Sequence, residues 1–253
     1  MAYDNAGSGP AVLLLHGFPF DRSMWREQID FLSFHGFRAI APDLRGLGET
    51  RTTGQVSTMD DMARDVVALM GVLKIDQAVI CGLSMGGYVA FEFAQLFPER
   101  VLGLVLAGTR APADNGQEKQ AREQQAQKIL TEGMNGIAEA TLPKLLAPRT
   151  LSEKSEVVAR VREMILRSDP CGAAAAQRGM AERRDYTSDL PNMSLPTLIV
   201  VGREDPIRPV TDAEFMHRLI RNSSLEIIED AAHMTNLEQP GTFNRALSAF
   251  LAI

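Results

Sequence analysis

Ala78-Val79-Ile80-Cys81-Gly82-Leu83-Ser84-Met85-Gly86-Gly87-Tyr88-Val89-Ala90-Phe91 is the stretch that decides the fold. Ala78–Cys81 is a short apolar run that predicts a buried strand, and from Met85 to Phe97 the pattern is helical until Pro98 stops it. Between them lies Gly82-Leu83-Ser84-Met85-Gly86, a G-x-S-x-G pattern. The bare pattern arises by chance in roughly one chain of this composition in ten, so its setting has to decide. Here it sits between strand and helix, the setting of a nucleophile elbow. A sharp strand-to-helix turn pushes the serine oxygen above the sheet, and small flanking residues let the backbone pass. The helix start then aims free N–H groups at developing negative charge.

Working outward, strand and helix patterns alternate. Ala11–Leu15 and Phe37–Ala41 predict strands, and a helix is predicted from about Ser23 between them. Met59, Met62, Val66, Leu69 and Leu73 predict an amphipathic helix capped by Ser57 or Thr58. Val101–Ala107 predicts another buried strand. This alternation implies a mostly parallel sheet covered on both faces by helices, an α/β fold. It stops after Gly108: Gln117–Leu130 is polar nearly all round, Val157–Ile165 is an amphipathic helix, and Ala173–Ala176 is compatible with helix. It resumes with a strand at Thr197–Val201, a helix around Asp212–Ile220, a strand at Leu225–Ile228 and a closing helix from about Pro240. The expected organisation is therefore a core in two parts, 1–110 and 194–253, with a helical cap inserted at 111–193.

Composition narrows the function. The 253 residues are 45% hydrophobic, and 26 Lys and Arg stand against 32 Asp and Glu, a formal net charge of −6. An acidic chain with no basic run is a poor match for a phosphate-tracking surface, so no nucleic-acid partner is expected. No apolar stretch approaches the roughly 18 residues a membrane span needs, and the N-terminus has no signal-peptide pattern. Cys81 and Cys171 are too few for a disulfide framework or a zinc site. A cytoplasmic location is the expectation.

A serine hydroxyl needs a base, and the chain has four histidines. His16 follows the Ala11–Leu15 strand, His35 ends a helix, and His217 lies within one. His233 lies on the loop beyond the Leu225–Ile228 strand, at the sheet edge where reactive groups collect in parallel sheets. An orienting acid is expected between serine and histidine in the chain. Gly202-Arg203-Glu204-Asp205-Pro206 offers two, with Asp205 favoured because Pro206 holds it extended and Glu204 as competitor.

The order Ser84, Asp205, His233 resembles that of the α/β-hydrolase superfamily. Further likeness lies in His16-Gly17-Phe18-Pro19, in Pro42-Asp43-Leu44-Arg45-Gly46-Leu47-Gly48, in Gly202–Pro206 and in Ala232-His233-Met234. In detail the chain is similar to small serine esterases, enol-lactonases and cofactor-free haloperoxidases or perhydrolases. The resemblance implies an α/β-hydrolase fold and hydrolysis of small esters or lactones through an acyl-enzyme, with no cofactor and no metal. It also implies an oxyanion hole made by the backbone N–H groups of Phe18 and Met85. Asp43, Arg45, Gly46 and Gly48 are expected to shape a turn. Members usually open with an antiparallel hairpin, and only about ten residues precede Ala11, so a first strand is expected to be very short or missing. Pro19 matches a perhydrolase subgroup, in which peracid formation accompanies hydrolysis. A serine nucleophile excludes haloalkane dehalogenases and epoxide hydrolases but leaves C–C bond hydrolases of ring-cleavage products, or a ligand receptor on this fold, as alternatives. Substrate identity and oligomeric state are not legible.

Overall fold

The computed structural model describes residues 1–52 and 54–252. Its centre is a seven-stranded sheet in the order β1-β3-β2-β4-β5-β6-β7. The strands are β1 (Tyr3–Ala6), β2 (Ala11–Leu15), β3 (Arg38–Pro42), β4 (Ala78–Leu83), β5 (Val101–Ala107), β6 (Thr197–Gly202) and β7 (Ser223–Ile228). All neighbours pair in parallel except β1, which runs antiparallel to β3 with Tyr3 opposite Pro42 and Ala6 opposite Ala39. Every residue of β2, β4 and β6 is buried. Helices cover both faces of the sheet, which is why these strands read as unbroken apolar runs rather than alternating ones. The opening strand is present, four residues long and largely exposed at the sheet edge.

The helices between these strands follow from local chemistry. A 3₁₀ turn at Arg22–Trp25 precedes α1 (Arg26–Phe34), so the helical pattern that starts near Ser23 covers two elements. α2 (Met59–Val72) begins with a capping box: the Thr58 hydroxyl accepts from the Asp61 N–H, and the Asp61 carboxylate accepts from the Thr58 N–H. Thr58 is thus the cap, and Ser57 is buried beside it. α3 (Met85–Leu96) follows β4 after Ser84 alone.

Between β5 and β6 the chain forms five helices: α4 (Gly116–Glu132), α5 (Asn135–Leu145), α6 (Pro148–Glu153), α7 (Ser155–Arg167) and α8 (Pro170–Glu182). The polar α4 starts from an Asn115–Glu118 capping box and buries only Ala126 and Ile129. It lies along α8, whose Ala173–Ala176 run is buried. Small side chains there let the helices approach closely. α5 and α6 escape a periodicity reading because Pro143 sits inside α5 and α6 is six residues long. The chain closes with α9 (Val210–Leu219), α10 (Thr235–Glu238) and α11 (Pro240–Leu251). No helix among the described residues is long and apolar enough to cross a membrane.

Candidate active site

Four loops gather at the carboxyl edge of the parallel strands, where open α/β sheets place their ligands. They are 16–19 after β2, Ser84 after β4, 203–208 after β6 and 229–234 after β7.

Ser84 has φ 55° and ψ −111°, a conformation rare for a residue with a side chain. Such a backbone costs on the order of 1–3 kcal/mol and persists only where its surroundings over-determine it. They do so here. The Ser84 N–H donates to the Ala107 carbonyl at 2.8 Å, and its carbonyl accepts from the Gly87 N–H at 3.0 Å and the Thr109 hydroxyl at 2.9 Å. The flanking glycines are required by close approach: a Cβ on Gly82 would lie 2.1 Å from the Gly86 carbonyl oxygen, and one on Gly86 would lie 2.1 Å from that of Leu15. The turn brings the elbow against β2, and the Ser84 side chain caps nothing in α3.

His233 and Asp205, 28 residues apart in sequence, meet in the fold. His233 Nδ1 donates to Asp205 Oδ2 at 2.7 Å, and both residues are buried. The other carboxylate oxygen, Oδ1, accepts from the N–H groups of Ile207 and Arg208 at 2.8 and 2.9 Å. In the neutral ring, this bond selects the tautomer whose Nε2 carries the lone pair. Glu204 is exposed, so of the two neighbouring acids it is Asp205 that holds the imidazole. The His233 loop is fastened to α5: the N–H groups of His233 and Met234 both donate to the Leu145 carbonyl, at 3.1 and 3.2 Å. Beneath it the Glu238 carboxylate accepts from the Ala232 N–H at 2.8 Å and the Ala147 N–H at 2.7 Å. Burial pushes the Glu238 carboxyl up, against the downward pull of these donors.

His16 is fully buried and serves as a strut. Its Nδ1 donates to the Gly17 carbonyl and its Nε2 accepts from the Leu44 N–H, both at 2.9 Å. Burial holds its pKa below the usual value, which keeps it neutral. It thereby ties the Gly17-Phe18 backbone to the turn after β3. In that turn Asp43 accepts from the N–H groups of Arg22 and Glu49, each at 2.8 Å, and pairs with the Arg22 guanidinium, the shaping role expected of it.

Phe18, Ser84 and His233 line one cavity of about 160 Å³. Met85 is completely buried, so its side chain is packing. As the first residue of α3 it has an N–H with no acceptor one helical turn back. The far wall comes from α4, α5 and α8 and from the 205–208 loop: Arg122, Lys144, Gln177 and Arg208 all line it, together with Tyr88. Sequence reading misses these residues. Only two carried a signal: Tyr88, one helical turn beyond Ser84, and Arg208, three residues beyond Asp205.

Behind Arg122 lies a buried ion cluster. Asp114 receives Arg110 and Arg183 at 2.7 Å each and also pairs with Arg122. Burial would raise the Asp114 carboxyl, but Arg122 and Arg183 outweigh it and hold it at about 2. A carboxylate held below its unfolded value stabilises the fold fully above about pH 4, and that contribution is lost as the pH falls toward 2. Asp114→Asn strands guanidiniums whose burial depended on the pair, so its Tm at pH 7 should fall by on the order of 10 °C. Thermal unfolding followed by circular dichroism checks this, and the deficit should shrink as the pH approaches 2.

With the fold and this geometry in view, the chain is found to belong to the alpha/beta hydrolase fold family, whose profile matches residues 10–240. Among curated proteins it is 33% identical to 3-oxoadipate enol-lactonase 2 of Acinetobacter baylyi, over 96% of this chain and 88% of that one. An esterase from Thermogutta terrifontis, solved with malate bound, superposes with a TM-score of 0.97 at 43% identity, covering 99% of this chain and 92% of the other. The enol-lactonase from Burkholderia xenovorans gives a TM-score of 0.91 at 28% identity, covering 100% and 96%. These relatives are hydrolases of esters and lactones by name.

Proposed function

We propose that the protein is a serine hydrolase of small carboxylic esters or lactones, working through Ser84, His233 and Asp205. One observation carries the reading: Ser84 on its strained turn and His233, held by buried Asp205, line the same cavity. The enol-lactonase and esterase names of the relatives support the same class.

In the first step Ser84 Oγ attacks the ester carbonyl while His233 Nε2 takes its proton. Asp205 holds the tautomer that leaves Nε2 free and stabilises the imidazolium. The N–H groups of Phe18 and Met85 receive the oxyanion, each such donor worth about 3 kcal/mol in the transition state. His233 returns the proton to the leaving alkoxide, which departs as alcohol or, for a lactone, stays tethered as a hydroxyl. Water, deprotonated by His233, then cleaves the acyl-enzyme and restores Ser84. No step calls for a metal or an organic cofactor. The 111–193 segment acts as a cap, since α4, α5 and α8 supply the cavity wall facing Ser84.

Hydrogen peroxide in place of water would release a peracid from the same acyl-enzyme. Pro19, beside Phe18 in the cavity lining, supports this side activity, as does 29% identity over 98% of this chain to a putative non-heme chloroperoxidase of Synechocystis.

The test is a panel of p-nitrophenyl esters from C2 to C12, with and without peroxide. A cavity of about 160 Å³ predicts kcat/KM highest at C2–C4 and at least about 10-fold lower by C8. Absence of turnover in folded protein would overturn the esterase reading and favour C–C hydrolysis or ligand reception.

A further inference from the structure

The cavity wall facing Ser84 is richer in hydrogen-bond donors and positive charge than a neutral ester needs. Arg122, Lys144 and Arg208 all line it, and no Asp or Glu does. Pockets for uncharged small molecules are mostly apolar with a few polar groups. Lys144 is exposed, but Arg122 and Arg208 are partly buried, and holding two such guanidiniums in the lining is unfavourable unless acceptors meet them.

Arg208 has no ion-pair partner within 4.0 Å among the described residues. Its Nη1 donates to the Ile207 carbonyl at 2.7 Å and its Nη2 to the Tyr88 hydroxyl at 2.6 Å, while its Nε is buried without a partner. Arg122 must share Asp114 with Arg110 and Arg183. Around Tyr88 gather four guanidiniums, those of Arg110, Arg122, Arg183 and Arg208; the nearby carboxylates Asp114, Glu118, Asp185, Asp205 and Asp212 all lie outside the cavity lining. These guanidiniums register on Tyr88. Its phenol is completely buried, which would raise its pKa, yet Arg208, Arg183 and Arg122 bring it below the usual value. Arg183 also stacks over the Tyr88 ring, 4.1 Å from its centre.

The amides beside Arg122 are already oriented. Arg122 Nη1 donates to Gln177 Oε1, and Gln177 Nε2 donates to Gln125 Oε1, both at 3.0 Å. Gln125, whose oxygen is thus occupied, offers its NH₂ as a donor in the cavity lining. Donors in excess, with acceptors already used, complement an acceptor-only group, and a planar guanidinium matches a planar carboxylate.

From this we infer that the cavity contains a carboxylate subsite built on Arg208 and Arg122, so that the substrates are small esters or lactones carrying a free carboxylate group. The term substrate rests on the hydrolase reading above, whereas the subsite does not. The subsite is close to the reacting centre: the Arg208 N–H bonds Asp205 directly, and Tyr88 lies one helical turn after Ser84. A half-ester of a short dicarboxylic acid carries both groups, a reactive ester and a free carboxylate, that one cavity lined by Ser84, Arg122 and Arg208 would receive.

Two measurements separate the subsite from the hydrolysis. In a pH-stat, monoethyl glutarate is compared with ethyl 5-methylhexanoate, in which an isopropyl group replaces the carboxylate. By calorimetry, glutarate and its neutral diamide are titrated into the wild-type and Ser84→Ala proteins. The wild type should prefer monoethyl glutarate by roughly 10- to 100-fold in kcat/KM, and Arg208→Met should bring that ratio near one. Glutarate should bind both proteins and the diamide neither. Hydrolysis of both esters at similar kcat/KM, with no glutarate binding, would remove the subsite and leave the hydrolase reading standing. Glutarate binding without turnover of either ester would keep the subsite and remove the hydrolase reading. Should Arg208→Met fail to fold, the glutarate and diamide titrations of the unmutated chain decide.

Discussion

Ser84→Ala should lower ester turnover by at least about 10⁴-fold while leaving the protein folded. The large loss follows from the chemistry: without Oγ no acyl-enzyme forms, and what remains is water attack on an ester held by the oxyanion donors. The intact fold follows from the backbone. Ser84 is held at φ 55° by bonds from its own N–H and carbonyl, and its hydroxyl caps nothing in the following helix. Alanine suffers the same backbone strain as serine, so Tm should stay within about 3 °C of the parent. Initial rates on a short ester, alongside thermal unfolding, check both halves. Near-parental turnover would remove Ser84 from the chemistry altogether.

Asp205→Asn should cost up to about 10⁴-fold in kcat, with little change in stability. The reason lies in how the carboxylate is shared. One oxygen accepts from the Ile207 and Arg208 N–H groups and the other from His233 Nδ1. An asparagine has one carbonyl oxygen, which the two backbone donors claim. Its NH₂ then faces His233 and accepts nothing, so the imidazole proton moves to Nε2, the nitrogen that must receive the serine proton. The variant is folded but holds the wrong tautomer. Glu204→Gln, next door but exposed, should stay within about twofold of the parent. Nitrogen NMR of the imidazole distinguishes a tautomer change from mere loosening. Equal losses in the two variants would mean that Asp205 has no special part.

Much of the fold is legible because its information is local. The buried strands are apolar runs, α2 announces itself by spacing and a Thr58–Asp61 capping box, and the closing helix begins at Pro240 as expected. The Gly82–Gly86 pattern implies the elbow because only glycine tolerates carbonyl oxygens so close. The loop positions of Ser84, Asp205 and His233 follow once those strands are parallel, since each lies just beyond a strand's carboxyl end. The choice between Asp205 and Glu204 is less local. Proline at 206 favours the first, but only the loop's path buries one acid against His233 and leaves the other in solvent.

The chain order, the strand-turn-helix at Ser84 and the α/β alternation are thus properties of the sequence, because they depend on residues within a turn or two of one another. The cavity wall belongs to tertiary structure. Arg122 on a polar helix and Arg208 on a loop are 86 positions apart; nothing in its segment's pattern distinguishes Arg122 from a solvent-facing arginine, and Arg208 is marked only by its nearness to Asp205. What sets them apart is packing: α4 lies along α8, Asp114 gathers three guanidiniums, and Arg208 is left on the Tyr88 hydroxyl with no ion pair within 4.0 Å among the described residues. Charge balance in a buried wall is a sum over neighbours in space, so it exists only once the chain has folded.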